Sequence, residues 1–154
     1  MSLKVYLSGE IHTNWRDEIK KGIKERGIDI VFTSAITDHE ASDSAGDHLN
    51  NNNSKESDEV NSFWRDHRSA KVNVIRTKTL IEQADIAVIR FGEKYKQWNA
   101  AFDAGYCAAL GKPYITLHAE DIIHPLKEVD ASAQAWATTT EQVINTLVYI
   151  SHDQ

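Results

Sequence analysis

Asp103 has the clearest chemical potential in this chain. A helix beginning at Asn99 would place it about one turn inside the amino-terminal end. There the helix dipole favours an ionised carboxylate. Such a carboxylate, held in a cleft, can attack a sugar carbon as a nucleophile. An acid that merely stabilises a first helical turn leaves the same mark in a sequence. Glu10 and His12 flank Ile11 directly after the first strand-like segment. That pair can protonate a leaving base or position a phosphate, or can simply solvate a loop. Arg90 closes an apolar run, where it can pair with a phosphate or with Asp103, or form the more common plain salt bridge. Phe91 and Trp98 offer ring faces for a nucleobase, or aromatic anchors for their loop. The dipeptides Asp38-His39, Asp47-His48 and Asp66-His67 contain metal-ligand residue types. Their spacing matches no compact metal motif, so no metal is expected. Cys107 sits mid-helix among small residues and reads as buried packing.

The bulk properties remove several classes. The chain has 154 residues, 41% of them hydrophobic, enough for the core of a single domain. Its 17 Lys and Arg against 23 Asp and Glu leave a net charge of −6. That balance argues against non-specific nucleic-acid binding, which needs a basic field. No apolar run approaches the ~20 residues that span a bilayer. A single cysteine excludes an intramolecular disulfide and suits a cytoplasmic protein. There is no Gly-x-Gly-x-x-Gly, no P-loop and no Gly-x-Ser-x-Gly elbow.

The elements that must position these residues alternate between strand and helix. Residues 4–8 form a first strand ending at Ser8-Gly9. Asn14 can cap a helix whose Trp15, Ile19 and Ile23 share a face, and Gly27 stops it. Residues 28–32 alternate as a second strand. Residues 33–62 are polar, rich in Asp, Ser, Asn and His, and lack a core pattern. They read as a long insertion, about 34–62, mobile near the Asn run 50–53 and anchored by Phe63 and Trp64. A helix over 70–83 leads into the continuous apolar run 86–89, a strand buried on both faces. A polar loop, 90–98, precedes a helix over 99–110 stopped by Gly111 and Pro113. Residues 114–117 form a fourth strand, 118–133 are ambiguous, and 135–137 form a short edge strand. Thr139 and Gln142 then make a capping box for a last helix. Repeating βα units imply a parallel sheet with right-handed crossovers. The expected architecture is α/β: one domain over 1–154, a flavodoxin-like three-layer α/β/α fold with a five-stranded parallel sheet of order 2-1-3-4-5. Ligands in such folds sit beyond the carboxyl ends of the strands.

The helix Phe102-Asp103-Ala104-Gly105-Tyr106-Cys107-Ala108-Ala109-Leu110-Gly111-Lys112-Pro113 resembles that of nucleoside 2-deoxyribosyltransferase-like proteins. Those carry a glutamate nucleophile in Phe-Glu-x-Gly-x-Ala, followed by Gly-Lys-Pro. Tyr6-Leu7-Ser8-Gly9 is similar to the first strand that leads into their nucleoside site, and residues 81–88 to their helix-to-strand segment. The segments Thr37-Asp38-His39-Glu40-Ala41-Ser42-Asp43, Phe63-Trp64 and Arg90-Phe91-Gly92 through Asn99-Ala100-Ala101-Phe102-Asp103 resemble the YtoQ family, a branch of that superfamily. The resemblance implies cleavage or exchange of the N-glycosidic bond of a nucleoside or nucleotide, with Asp103 as nucleophile. It implies no cofactor, and a homodimer or higher homo-oligomer. Two superfamily acids are missing: Asp-x-Gly-Thr is replaced by Gln97-Trp98-Asn99-Ala100, and another falls near Thr77. A proton donor would come from Glu10, His12, Asp38 or His39, with Glu10 the catalytic choice. Tyr6, Gly9, His12, Asp38, His39, Arg90, Trp98 and Asn99 are the expected substrate-binding residues. The missing acids favour the alternative, a catalytically inactive nucleotide-binding module on the same fold, while the helix containing Asp103 favours the enzyme.

Overall fold

The structure, a computed structural model, describes residues 1–49, 58–94 and 97–152. Its residues divide into two compact units. One comprises Met1–Ser34 with Ile81–Gln154, the other Ala35–Leu80.

The first unit holds all five strands: β1 (Leu3–Gly9), β2 (Ile30–Ser34), β3 (Ile86–Arg90), β4 (Tyr114–Leu117) and β5 (Ala135–Ala137). They form one parallel sheet of order β2-β1-β3-β4-β5. This is the expected flavodoxin-like order. Its switch point lies between the carboxyl ends of β1 and β3, because the chain leaves β1 towards opposite edges.

Strand alternation sorts the core into two faces. Leu3, Val5 and Leu7 of β1 point to one side with Ile86, Val88, Ile115 and Leu117. There they meet Trp15, Ile19 and Ile23 of α1 (Trp15–Glu25) and Val143, Ile144 and Leu147 of α6 (Thr140–Ser151). Tyr6 and Ser8 point to the other side, where α4 (Trp98–Leu110) packs on β1, β3 and β4. The two short elements between β4 and β5 are a 3-10 turn (Glu120–Ile122) and α5 (Lys127–Ser132). They fill the stretch left ambiguous by sequence.

Several boundaries differ from expectation for local reasons. Strand β2 begins two residues later, since Gly27 takes φ 69° and Ile28 N still bonds back to Ile23 O. Asn14 occupies the N-cap of α1 without a side-chain capping bond. Helix α4 begins at Trp98, with Gln97 at its N-cap.

The largest difference lies in the expected insertion. The second unit contains a short helix, α2 (His39–Asp43), a 3-10 turn (Asp47–Leu49) and most of α3 (Asp58–Gln83). Asp38 caps α2 by accepting from Ala41 N at 2.7 Å. Ser69 of α3 donates to Asp43 O at 2.5 Å and accepts from Gly46 N at 3.1 Å. Phe63 and Trp64 are not anchors; they lie within α3, exposed and edge-to-face with each other. The Asn run lies outside the described residues. No described helix is long and apolar enough to cross a membrane.

The capping box predicted at Thr139 and Gln142 is present on both sides. Thr139→Ala removes the side-chain acceptor for Gln142 N. It should destabilise the protein by about 1 kcal/mol. A thermal melt should then shift down by about 2–4 °C for a chain of this size.

Candidate active site

The carboxyl ends of β1 and β3 meet in a contact that only glycine permits. Gly9 is paired with Arg90 in the parallel register and takes φ 103°. A Cβ on Gly9 would stand 2.0 Å from Arg90 O. Glu10 N then donates to that same oxygen at 3.1 Å. Gly92 serves the junction from the other strand, since a Cβ there would stand 2.4 Å from Glu10 Cγ. Thus Ser8-Gly9-Glu10 and Arg90-Phe91-Gly92 are two halves of one structure.

The Glu10 carboxylate folds back onto its own loop. It accepts from His12 N, from Thr13 N at 3.0 Å and from Thr13 Oγ1 at 2.5 Å. Arg90 Nε lies 3.6 Å from Glu10 Oε2. Burial works against the charge of Glu10, but these donors and the Arg90 guanidinium outweigh it and hold the carboxyl below its usual range. A group so held is a poor proton donor at neutral pH, which weakens the acid role expected of it. Arg90 is engaged in this ion pair.

Asp103 has the opposite environment. It lies on the inner face of α4 with Ala100, Ala104 and Cys107 and is 8% exposed. Ser8 Oγ donates to Asp103 Oδ2 at 2.5 Å. Burial raises its pKa to about 6, and the Ser8 hydrogen bond only partly offsets this. The expected protection by the helix end is not what governs it. With the helix starting at Trp98, Asp103 is the sixth helical residue, and the dipole effect fades beyond the first turn. Cys107, one turn on, is fully buried, and its thiol is pushed up to about 12 by burial and by the Asp103 charge. It is packing, as its sequence context suggested.

The other candidate residues are placed as follows. Tyr6 is fully buried within β1, on the same face as Ser8. His12 is exposed and contributes its backbone N–H to Glu10. Asn99 and Trp98 are exposed on the first turn of α4, Trp98 at 72%. Trp98 points about 140° around the helix from Asp103, at 100° per residue. Phe91 is buried, and its N–H bonds Leu117 O at 2.9 Å. It therefore offers no ring face to a base. Asp38 and His39 lie in the second unit, Asp38 as the α2 cap and His39 as that helix's first, exposed residue. Among the described residues no group of three or more His, Cys, Asp or Glu is placed to hold a metal ion.

Sequence reasoning missed two features. Arg16 is buried and donates to Glu10 O at 2.5 Å and Gly9 O at 3.0 Å, while Trp15 Nε1 donates to Glu10 O at 2.8 Å. A helix-face count would have placed Arg16 in solvent. His118, just after β4, is buried, with its ring nitrogens 2.8 Å from Ala119 O and 2.8 Å from Asp130 Oδ2. Thr116 Oγ1 bonds the other Asp130 oxygen at 2.7 Å. This cluster ties α5 to the carboxyl end of β4.

Residues 6–151 match the profile of a family described as "Nucleoside 2-deoxyribosyltransferase YtoQ". The chain is 39% identical over 150 residues to "Uncharacterized protein YtoQ" of Bacillus subtilis (strain 168), covering 97% of each chain. This chain belongs to the YtoQ family. Its fold is similar to that of a solved conserved protein from Enterococcus faecalis V583, with a TM-score of 0.59 at 11% identity, covering 97% of this chain and 99% of that one. A 2-deoxyribosyltransferase from Bacillus psychrosaccharolyticus aligns over 94% of this chain and 95% of its own, with 18% identity and a TM-score of 0.49.

The Asp103 environment has a thermodynamic consequence for this YtoQ-family protein. A carboxyl whose folded pKa is raised to about 6 from 3.8 binds its proton more tightly in the native state. Stability is therefore lost as pH rises from about 4 to about 6 and is flat above, by on the order of 3 kcal/mol. Asp103→Asn removes that ionisation. Melts across pH should show Asp103→Asn gaining on the native protein between pH 4 and 6, with a constant advantage from pH 7 to 8. A constant difference over the whole range would remove the burial argument.

Proposed function

We propose that this protein cleaves or exchanges the N-glycosidic bond of a nucleoside, with Asp103 as the nucleophile. The observation that carries the reading is the buried Asp103 carboxylate bonded by Ser8 at the carboxyl end of β1, on the helix that carries the family pattern. In this reaction an Asp103 oxygen attacks C1′ while the C1′–N bond breaks. The bonding pair leaves with the base, which takes up a proton from solvent water. The path runs through an oxocarbenium-like state to a glycosyl ester on Asp103. Water then releases the free sugar, or a second base takes the glycosyl group and restores the carboxylate.

Each neighbouring group has a part in this reading. Ser8 positions the nucleophile and favours its ionised form. Arg90 holds Glu10, and Glu10 holds the loop from His12 to Thr13. Because Glu10 already fills those loop N–H groups with a negative charge, a substrate phosphate gains little there. The favoured substrate is thus a nucleoside without a 5′-phosphate. The same lock on Glu10 is what supports the second reading, a binding module without turnover, since it removes the expected proton donor from service.

The test is release of free base, or its exchange, from purine and pyrimidine nucleosides with and without a 5′-phosphate. kcat/KM should rise through pH about 6 as Asp103 ionises, then level off. Asp103→Asn should fall to background while keeping the native circular dichroism. Ser8→Ala should move the rise to higher pH, because the hydrogen bond that lowers the Asp103 pKa is gone. Base release by Asp103→Asn at the native rate would defeat the assignment. Binding without turnover across the whole panel would select the module.

A further inference from the structure

We propose that Glu10 is an internal anion: its carboxylate fills a cradle that, once vacated, takes a phosphate or a phosphate monoester, and its presence there is what excludes a 5′-phosphorylated substrate. The cradle itself stands on the geometry of the loop and of Arg90. Its effect on substrate choice rests on the glycosyl-transfer reading. Glu10 is 4% exposed, so its carboxylate depends on protein donors, and these come from two separate elements. The loop after β1 supplies His12 N, Thr13 N at 3.0 Å and Thr13 Oγ1 at 2.5 Å. The end of β3 supplies Arg90, whose Nε lies 3.6 Å from Glu10 Oε2. Consecutive backbone N–H groups converging on one point beside a guanidinium make an anion site, whichever anion fills it.

Two observations fit the cradle to a larger anion than a carboxylate. First, Arg90 meets Glu10 through Nε alone, at a distance too long for a hydrogen bond. Among the described residues its Nη groups donate no hydrogen bond, and the side chain is 25% exposed. The planar fork that matches phosphate oxygens is therefore uncommitted. Second, the fold reserves the space. A Cβ on Gly92 would stand 2.4 Å from Glu10 Cγ, so the segment after β3 omits a side chain where Glu10 lies. Truncating Glu10 opens that volume between the loop donors and Arg90. A phosphate monoester brings three terminal oxygens and up to about two negative charges, enough to engage the loop donors and the Arg90 fork together. The placement also suits a nucleotide. Ser8, which bonds Asp103, is separated from Glu10 by Gly9 alone, so their Cα atoms are at most about 7 Å apart. A nucleoside monophosphate bridges such a span between its sugar and its phosphate. While Glu10 is present its donors keep it ionised, so a second anion meets like charge at short range.

The first probe is inorganic phosphate, with potassium chloride at matched ionic strength as the control. The native protein should melt at the same temperature in both. Glu10→Ala should melt several degrees higher in phosphate, because an anion that binds only the folded state stabilises it by mass action. Glu10→Ser keeps one acceptor oxygen for the loop, leaves most of the volume open, and covers the case in which Glu10→Ala fails to fold. Arg90→Gln added to either variant should abolish the phosphate shift. A native protein stabilised by phosphate as much as the variants overturns the proposal. So do folded variants that phosphate does not stabilise, and so does a shift that survives Arg90→Gln. Substrate choice is read separately, as kcat/KM for base release from a nucleoside and from its 5′-monophosphate. Glu10→Ala should move that ratio towards the monophosphate by about tenfold or more, the worth of one charge-assisted hydrogen bond. An unchanged ratio in a variant that binds phosphate overturns the link to substrate choice. If the native protein releases no base from either compound, the glycosyl-transfer reading fails, while the phosphate melts still decide the cradle. The link is then read by binding: the monophosphate should stabilise Glu10→Ala more than the nucleoside does, and equal stabilisation overturns it.

Discussion

Where β1 and β3 end, the backbone of Gly9 passes so close to Arg90 O that no side chain fits between them. The whole candidate site is built on that approach. It lets Glu10 N bond across to β3, which turns the Glu10 side chain back over its own loop and towards Arg90. Gly92 leaves room for the Glu10 side chain from the opposite strand. From beneath, Arg16 and Trp15 bind the carbonyls of Gly9 and Glu10, so the turn is held through its donors and its acceptors. A buried arginine is tolerated here because those carbonyls accept its protons in place of water. The result is a fixed arrangement of charge that exists before any ligand arrives, the condition under which an electrostatic site acts without reorganising.

Two carboxylates share this end of the sheet, and their environments push them apart. Glu10 is surrounded by donors and a guanidinium, so it stays ionised. Asp103 has one hydroxyl donor and an apolar setting of Ala100, Ala104 and Cys107, so it holds its proton up to about pH 6. Pairs of acids separated in this way mark a division of labour. Both Glu10 oxygens are engaged in bonds that the loop depends on, so a new covalent bond there would dismantle the loop. Asp103 has an oxygen beyond the one bonded by Ser8. It is the carboxylate that can change its bonding while the loop stays intact, which is why the proposed reading gives it the nucleophile's part.

The sheet was legible in the sequence because its signals are local and redundant. Apolar runs such as 86–89, the stop at Gly111 and Pro113, and the Thr139 capping box each fix an element by itself. The order β2-β1-β3-β4-β5 is the flavodoxin-like wiring that such repeating βα units commonly take. The second unit was misread because its order comes from Asp38 capping α2 and from Ser69 and Asn73 bonding backbone and side chain of residues 42–46, long-range polar contacts that leave no periodicity. The same limit applied at the site. Glu10, Arg90 and Asp103 could each be picked out by position relative to a strand or helix end, whereas Ser8 read only as the end of a strand. That Arg90 would choose Glu10, that Ser8 would serve Asp103, and that Arg16 would turn inward are matters of packing across the sheet. Phe91 and Tyr6 show the converse: aromatic residues beside a site can be buried, Tyr6 within β1 and Phe91 in the residue that follows β3.

On the proposed reading, the short side chain of Asp103 has a structural counterpart in α4. The resemblance implies a glutamate in its place, one methylene longer. A helix lies as far from a sheet as the side chains between them require. The inner face of α4 is alanine at 100 and 104 and cysteine at 107, so little bulk separates helix from sheet, and Asp103 still reaches Ser8 at 2.5 Å. The strand contributes equally, since Ser8 brings a hydroxyl rather than a large group to that gap. Small residues on the inner face thus let a short carboxylate reach the strand. The composition of this one helix, poor in charge and rich in alanine, is what a carboxylate needs to stay buried yet reach β1.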